Sequence, residues 1–452
     1  MPQPATRHSV LECDVCVVGG GSGGIGAAVS AARLGADTIL IEKEKMLGGT
    51  STLGGVSNWE PVAGATGLPR ELFLAMQVRD GACILSRLSI PTPSRPVAEF
   101  GRNDALTYED TCARASDLRI TFEPEIFHEE AYRLLEAAGA EVWLETALAA
   151  ATHHGNRIEK IQAVSPDRTI EIRAHTYIDC TADVHLVRMV GAVTYLGPDP
   201  RARFGEESAE EQPRPYLNGV TLIYRVTPTV SGHVDPLPAP IAPGSWKRAA
   251  HITELPGGDR LINPLPTLLG TEYYAMELQQ ARKLAEERTL AHWHWLQTHH
   301  GYDGWRLRCM APLLGVREGP RTLAEKMLTE KEVIAGLAGQ DQRDIIAICD
   351  HPIDFHGGAH KMRPTPLYGV PFGCLIPKGW QNLLVACRGA GFSHLAGSSC
   401  RLSRTMMTLG QAAGTAAALT RQAGTTARNL DPAVLRETLR AQGVTLEAPA
   451  VN

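Results

Sequence analysis

No stretch of this 452-residue chain restricts the fold more than residues 13–50, CDVCVVGGGSGGIGAAVSAARLGADTILIEKEKMLGGT. Asp14 to Val18 is an apolar run of strand length. Gly19, Gly21 and Gly24 follow it as G-x-G-x-x-G. Ile25 to Leu34 is alanine-rich and helical, and Gly35 stands where a helix closes on a left-handed residue. Thr38 to Ile41 is a second apolar strand that runs into Glu42. The order strand, glycine turn, helix, strand is a β-α-β unit. Glycine at 19 permits the tight turn, and bare backbone at 21 lets a pyrophosphate come close. Gly24, with Ala27, Ala28 and Ala31, lets the helix lie against the sheet. Ser22 and Gly23 lie in the turn before the helix, whose N-terminal N–H groups and dipole favour a phosphate. Glu42 lies 18 residues past Gly24, close to the offset of about 20 for a carboxylate that binds ribose hydroxyls. The unit therefore predicts a dinucleotide site on Gly19, Gly21, Ser22, Gly23, Gly24 and Glu42. Which dinucleotide it takes is not settled by these residues.

The chain continues Lys43, three residues, Leu47-Gly48-Gly49-Thr50-Ser51-Thr52. This E-K-x-x-x-L-G-G-T-S-T resembles the two-dinucleotide-binding-domain flavoproteins of the fumarate reductase and glutathione reductase superfamily. Three later segments resemble the same family. They are Gly315-Val316-Arg317-Glu318, the run His351-Pro352-Ile353-Asp354-Phe355-His356, and His394-x-Ala396-x-x-Ser399-x-Arg401 leading to Leu409-Gly410-Gln411-Ala412-Ala413-Gly414. The G-V-R-E and L-G-Q-A-A-G signatures narrow the resemblance to one branch. The resemblance implies FAD rather than NAD. It adds Lys43, Gly48, Gly49, Thr50, Ser51, Asp183, Ser399 and Gly410 to the cofactor-binding set. Ala182 stands where the family usually has glycine. The resemblance also implies a helix from about Ser399 to Arg421 whose positive end faces the flavin, with Arg401 in its first turn. Gly410 and Gly414 serve close packing on the alternative reading. Disulfide reductases of the superfamily keep a cysteine pair after the glycine doublet, where this chain has Thr50, Ser51, Thr52 and Leu53. Thiol–disulfide chemistry of that kind is not expected. Residues 50–60 contain no His or Cys, so FAD is expected to be held without a covalent bond. Aromatic hydroxylases carry G-D where this chain has Cys387-Arg388-Gly389, which argues against a hydroxylase.

The expected fold is α/β. A Rossmann-like FAD-binding domain, with a parallel sheet and a β-hairpin meander, carries an inserted α+β substrate domain. The segments are 10–194 for the first part of the flavin domain and 195–364 for the insertion. Residues 365–425 return to the flavin domain, and 426–452 are a C-terminal helix and tail packed outside the core. Pro124 to Ala138 reads as a helix, and residues 158–174 as a hairpin around Ser165-Pro166-Asp167. Leu85 to Tyr108 reads as a surface excursion. Glu272 to Thr298 reads as one long helix carrying His292, Trp293, His294 and Trp295 as surface or interface aromatics. His292 and His294 point about 200° apart on a helix, so no metal site is expected there or elsewhere. The net charge of -5 gives no footprint for nucleic acid. No run approaches the roughly 18 apolar residues of a membrane span, and the first residues lack the apolar core of a signal peptide. Ten cysteines are too sparse for a disulfide scaffold. A cytoplasmic place is the expectation.

A flavin carries the redox chemistry, and the protein supplies orientation and proton transfer. Four polar residues of the resembled segments are the catalytic candidates: His394, His356, Arg401 and Arg317. His394 is the first choice for acid/base work and His356 the second. Arg401 is read as holding a substrate carboxylate or the flavin. Arg317 and Arg321 lie one turn apart if their stretch is helical, with ion pairs to Glu318 or Glu325 as the alternative. No second β-α-β unit follows the first, so electrons would pass through small molecules or a partner protein. The leading expectation is a dehydrogenase or reductase acting on a small organic substrate. The alternatives are an FAD-binding electron-transfer subunit without turnover of its own and a nucleotide-binding protein without a redox role. A homo-oligomer is compatible with the sequence.

Overall fold

The strand Arg7–Val18 is central because its last residues, Val15 to Val18, are apolar on both faces and at most 2% exposed. Thr38–Ile41 and Arg168–Asp179 run parallel to it on either side. In the computed structural model, which describes residues 7–59, 64–89, 97–113, 118–357 and 362–448, this sheet has seven strands. Glu141–Trp143 adds parallel at one edge, and Leu383–Val385 pairs with the end of Arg168–Asp179. The antiparallel arm 147–164 closes through the expected hairpin, where Ser165 N donates to Arg168 O at 3.0 Å.

One face of the sheet is covered by two helices in direct backbone contact, Ser22–Arg33 and Ser403–Ala423. A Cβ at Gly410 would lie 1.9 Å from Gly23 O, and one at Gly414 would lie 2.0 Å from Ala27 O. Pro124–Ala138 is a helix as expected. The final helix, Pro432–Ala441, does not lie outside the core. Leu435 and Leu439 are fully buried, and Arg436 reaches Ile345 O.

The second sheet departs from the segment boundaries read from the sequence. Its eight strands run 305–310, 224–228, 260–264, 250–254, 98–102, 83–89, 118–122 and 58–59. Four of them come from residues 58–122, which the sequence reading places in the flavin domain or in a surface excursion. The strand Leu118–Phe122 is buried along its whole length although it contains a charge. The Arg119 guanidinium lies 4.2 Å from the Phe100 ring, a cation–π contact that favours the buried charge. Residues 90–96, inside the expected excursion, are outside the described residues.

Two long helices are each broken. Glu272–Thr298 is two pieces, Gly270–Tyr274 and Leu278–His299, with an extended Glu277 between them. His292 and Trp293 lie in the core of the second sheet rather than on a surface. The His292 Nδ1 meets Tyr224 OH at 2.8 Å and its Nε2 meets Arg248 O at 3.1 Å. The 399–421 helix is also two, His394–Ser399 and Ser403–Ala423, joined through an extended Leu402. Arg401 therefore sits in the break, not in a first turn.

Candidate active site: a glycine cradle and a buried polar cluster

The turn after Arg7–Val18 is built by close backbone contact. Gly19 has φ +101°, and a Cβ there would meet the Cys180 carbonyl at 2.8 Å. A Cβ at Gly24 would lie 1.8 Å from Gly19 O. Gly21 is different, because a Cβ there would meet nothing within 4 Å. Across this opening runs the second glycine pair, with Gly48 N donating to Gly20 O at 2.8 Å. Ser22 Oγ and Ser51 Oγ are 3.5 Å apart. The helix Ser22–Arg33 has no side-chain cap and no acid in its first turn. Glu42 is pinned at the cradle's side by Gly20 N at 2.5 Å and Glu44 N at 2.8 Å. Burial pushes its carboxyl up from the usual range. Bare backbone at 21, an uncapped helix start and a fixed carboxylate beside them fit a diphosphate and a ribose.

The polar cluster joins segments far apart in the chain. His394 opens its helix behind Ser393, whose hydroxyl accepts from Ala396 N. The His394 backbone N donates to Asp199 Oδ2 at 2.8 Å, and its Nδ1 lies 2.8 Å from Glu318 Oε1. An ionised carboxylate only accepts, so Nδ1 carries the hydrogen and Nε2 is left as an acceptor. That Nε2 is buried and has no hydrogen-bond partner among the described residues. The ring stacks on Phe355 at 5.0 Å and meets the edge of Tyr216 at 6.2 Å. His394 lines a cavity of about 10 Å³ with Asn218, Arg317, Glu318, Arg388 and Ser398. That is room for about one water.

Asn218 ties this dyad to its neighbours. Its backbone N donates to Glu318 Oε2 at 2.8 Å, its Nδ2 donates to Asp354 O at 2.9 Å, and its Oδ1 accepts from His356 N at 2.9 Å. Asp354 Oδ2 accepts from His356 Nε2 at 2.8 Å and from Arg401 Nη2 at 3.2 Å. Burial works to raise the Asp354 carboxyl, but the His356 bond and the Arg401 charge hold it well below the usual carboxylate range. Burial and the charge of Arg317 bring His356 down to about 4, so it is a neutral donor to Asp354 at pH 7. Arg317 donates to Gly219 O at 2.9 Å, Thr221 Oγ1 at 2.7 Å and Asn263 Oδ1 at 3.3 Å. Burial, then the nearby Arg401, lowers it to about 9.

A family model described as FAD dependent oxidoreductase matches residues 14–439. The chain belongs to the FAD-dependent oxidoreductase family. FAD is therefore the cofactor, and the cradle's geometry fits its diphosphate and ribose. Digoxin reductase of Eggerthella lenta is 42% identical over 84 residues, 17% of this chain and 15% of that protein. A 3-oxosteroid 1-dehydrogenase of Rhodococcus opacus is 46% identical over 61 residues, 13% of this chain and 12% of that one. A digeranylgeranylglycerophospholipid reductase of Picrophilus torridus is 28% identical over 170 residues, 37% of this chain and 38% of that one. The matched stretches thus span well under half of each relative. Among solved structures, a geranylgeranyl bacteriochlorophyll reductase-like protein of Thermoplasma acidophilum aligns with a TM-score of 0.49 and 13% identity. That alignment covers 96% of this chain and 83% of that one.

Within this flavoprotein the four catalytic candidates, His394, His356, Arg401 and Arg317, come together in one cluster. The cofactor set divides. Gly19, Gly21, Ser22, Gly24, Glu42, Gly48, Gly49, Thr50 and Ser51 form the cradle, while the Lys43 side chain is 66% exposed beside Glu44. Gly23 and Gly410 are contact points between packed elements. A Cβ at Gly23 would strike Ala386 O at 1.9 Å, so its role is packing as well as helix opening. Ser399 turns inward, with its hydroxyl 2.6 Å from Tyr368 OH and donating to His351 O. Asp183 is paired with Arg388 at 2.6 Å. Ala182, where the family usually has glycine, holds φ +65° despite its side chain. Arg317 and Arg321 are not on a helix, since Gly315–Val316 and Arg321–Thr322 are strands. Arg317 pairs with neither Glu318 nor Glu325. The residues that sequence reasoning missed are Glu318 as the histidine's partner, Asp354 and Asn218. The P-I-D-x-H resemblance contained Asp354, but nothing in the pattern around Asn218 marks it.

Proposed function

We propose that this enzyme moves a hydride between a small organic molecule and non-covalently bound FAD, with His394 moving the accompanying proton. FAD, when bound, supplies the hydride chemistry. The observation that carries the reading is the His394 ring, oriented by Glu318 at Nδ1 and left with an unpartnered, buried Nε2. Glu318 keeps the proton on Nδ1, so Nε2 presents its lone pair. That nitrogen accepts the O–H or N–H proton of a substrate as the adjacent C–H is oxidised, and returns it in the reverse direction. Phe355 and Tyr216 cover the ring and limit the access of water. Arg401 and His356 hold Asp354 in place behind the site. Relatives named for reducing digoxin and dehydrogenating 3-oxosteroids support a small organic substrate. All ten cysteines are free, which supports a reducing, cytoplasmic place.

The test is anaerobic reduction of the flavin by a panel of hydroxy acids, amino acids and alcohols, with enones offered to the reduced flavin for the reverse direction. His394→Ala is expected to keep FAD and to lose about 10²- to 10⁴-fold in the reduction rate, the usual span for general acid–base help. Unchanged kinetics would remove His394 from the role.

A further inference from the structure

Arg317 differs from the arginines around it, each of which is held in an ion pair. Arg321 pairs with Asp199 at 2.8 Å, Arg388 with Asp183 at 2.6 Å and Arg401 with Asp354 at 3.2 Å. Among the described residues Arg317 makes no ion pair. Its acceptors are a backbone carbonyl, a threonine hydroxyl and an asparagine amide oxygen, all neutral. These take three of the donors on a guanidinium that has five. The three bonds hold the group still and leave two N–H groups to offer.

The two nearest acids are not available to it. Glu318 spends one oxygen on His394 Nδ1 and the other on Asn218 N. Asp354 is engaged by Arg401 and His356. A half-buried guanidinium set among neutral groups is stabilised by an anion that arrives from outside. Arg317 also lines the same cavity as His394. The cavity has room for one carboxylate oxygen where a water would otherwise sit.

We propose that Arg317 anchors a carboxylate of the substrate beside His394, so that the enzyme acts on small organic acids. This names a substrate class for the site proposed above and rests on that reading. It also moves the anchoring role from Arg401, whose charge Asp354 already meets, to Arg317. A carboxylate oxygen accepts a charge-assisted hydrogen bond from the guanidinium, roughly twice as strong as the one a neutral amide oxygen would make.

The test is a titration of the purified, FAD-loaded protein with sodium acetate and, separately, acetamide. The flavin difference spectrum and the melting temperature are followed. Acetate is expected to give a saturable spectral change and a rise in Tm, and acetamide neither. Arg317→Gln is expected to abolish the acetate response. Arg317→Lys is expected to weaken it by about tenfold, because an ammonium is a flexible point charge that the three acceptors holding the guanidinium cannot fix in the same place. Arg214→Gln, on the exposed surface, is expected to leave it unchanged. No saturable acetate effect in the wild type, or the same effect in Arg317→Gln, would overturn the anchor; if Arg317→Gln does not fold, the wild-type acetate and acetamide comparison still decides. The two readings fail separately. Reduction of the flavin by neutral substrates alone, at wild-type rate in Arg317→Gln, leaves the oxidoreductase and removes the anchor. A protein that takes no FAD removes the oxidoreductase, and its acetate response still reports on Arg317.

Discussion

The cofactor cradle and the polar cluster are built on opposite plans. The cradle is local and made of main chain. Its residues fall between 19 and 51, and most of its hydrogen bonds run from backbone N–H groups to carbonyls and to one carboxylate. The cluster is assembled from residues between 199 and 401, and each of its hydrogen bonds has a side chain on at least one end. Backbone sites are indifferent to side-chain chemistry but intolerant of added atoms. Side-chain sites tolerate changes of volume better than the loss of one donor or acceptor. The two regions should therefore break differently.

The largest effect is expected where backbone meets backbone. Gly24→Ala places its Cβ 1.8 Å from Gly19 O, and no flexible group can yield. Loss of about 4 kcal/mol or more of stability is expected, read as failure to recover folded, yellow protein. Gly21→Ala, three residues away, is the contrast. Its site is open, and its φ of -69° is ordinary for alanine. The Tm of the FAD-free protein should stay within about 2 °C of wild type. FAD affinity should fall about 10- to 100-fold, because the methyl group fills the phosphate approach. Wild-type FAD binding by Gly21→Ala would contradict the cradle.

In the cluster, Glu318→Gln keeps the shape and removes the charge. The His394 Nδ1–H then loses the carboxylate that fixes its tautomer, as when other catalytic histidines lose their acidic partner. Flavin reduction is expected to slow about 10- to 100-fold with FAD content unchanged. The discriminating measurement is the pH profile of reduction, which should shift for Glu318→Gln and stay in place if the residue is only structural.

A smaller effect concerns acid. The folded His356 sits at about 4, below the unfolded value of about 6.5. Between these values the unfolded chain binds more protons than the folded one, so stability rises with pH across this window. It is full above about 6.5 and lost progressively as pH falls toward 4. Burial puts His292, on the helix Leu278–His299, at about 4 as well, so it adds to the same slope. His356→Gln should flatten the fall in Tm between those pH values without removing it. An unchanged slope would mean that His356 is not held neutral.

The smallest expected change is a gain. Ala182 holds φ +65°, a conformation that costs a side-chain-bearing residue roughly 1–2 kcal/mol. Ala182→Gly should raise stability by up to about 1 kcal/mol, since glycine gives back part of the gain as unfolded-chain entropy. A lower Tm would show that the alanine methyl group packs usefully there.

These differences also explain what could be read in advance. Gly19, Gly21, Gly24 and Glu42 were legible because their job depends on spacing along a few turns of chain. The identities of His394, Arg401 and Arg317 were legible through their motifs, but their partners were not. The break at Cys400–Leu402 contains neither proline nor glycine, so the 399–421 pattern read as one helix. Leu118–Phe122 was obscured because a central strand buried on both faces does not alternate, and because Arg119 meets a ring outside its own segment.

By itself the sequence determined the β-α-β unit, the cofactor class and the set of polar residues available for chemistry. Local spacing sets backbone conformation, and backbone conformation alone makes the phosphate cradle. Tertiary structure alone decided that Glu318 holds His394, that Asp354 neutralises Arg401, and that Arg317 is left with neutral partners. Those outcomes depend on which side chains meet across 47 to 98 residues of chain, and charge pairing follows distance in space.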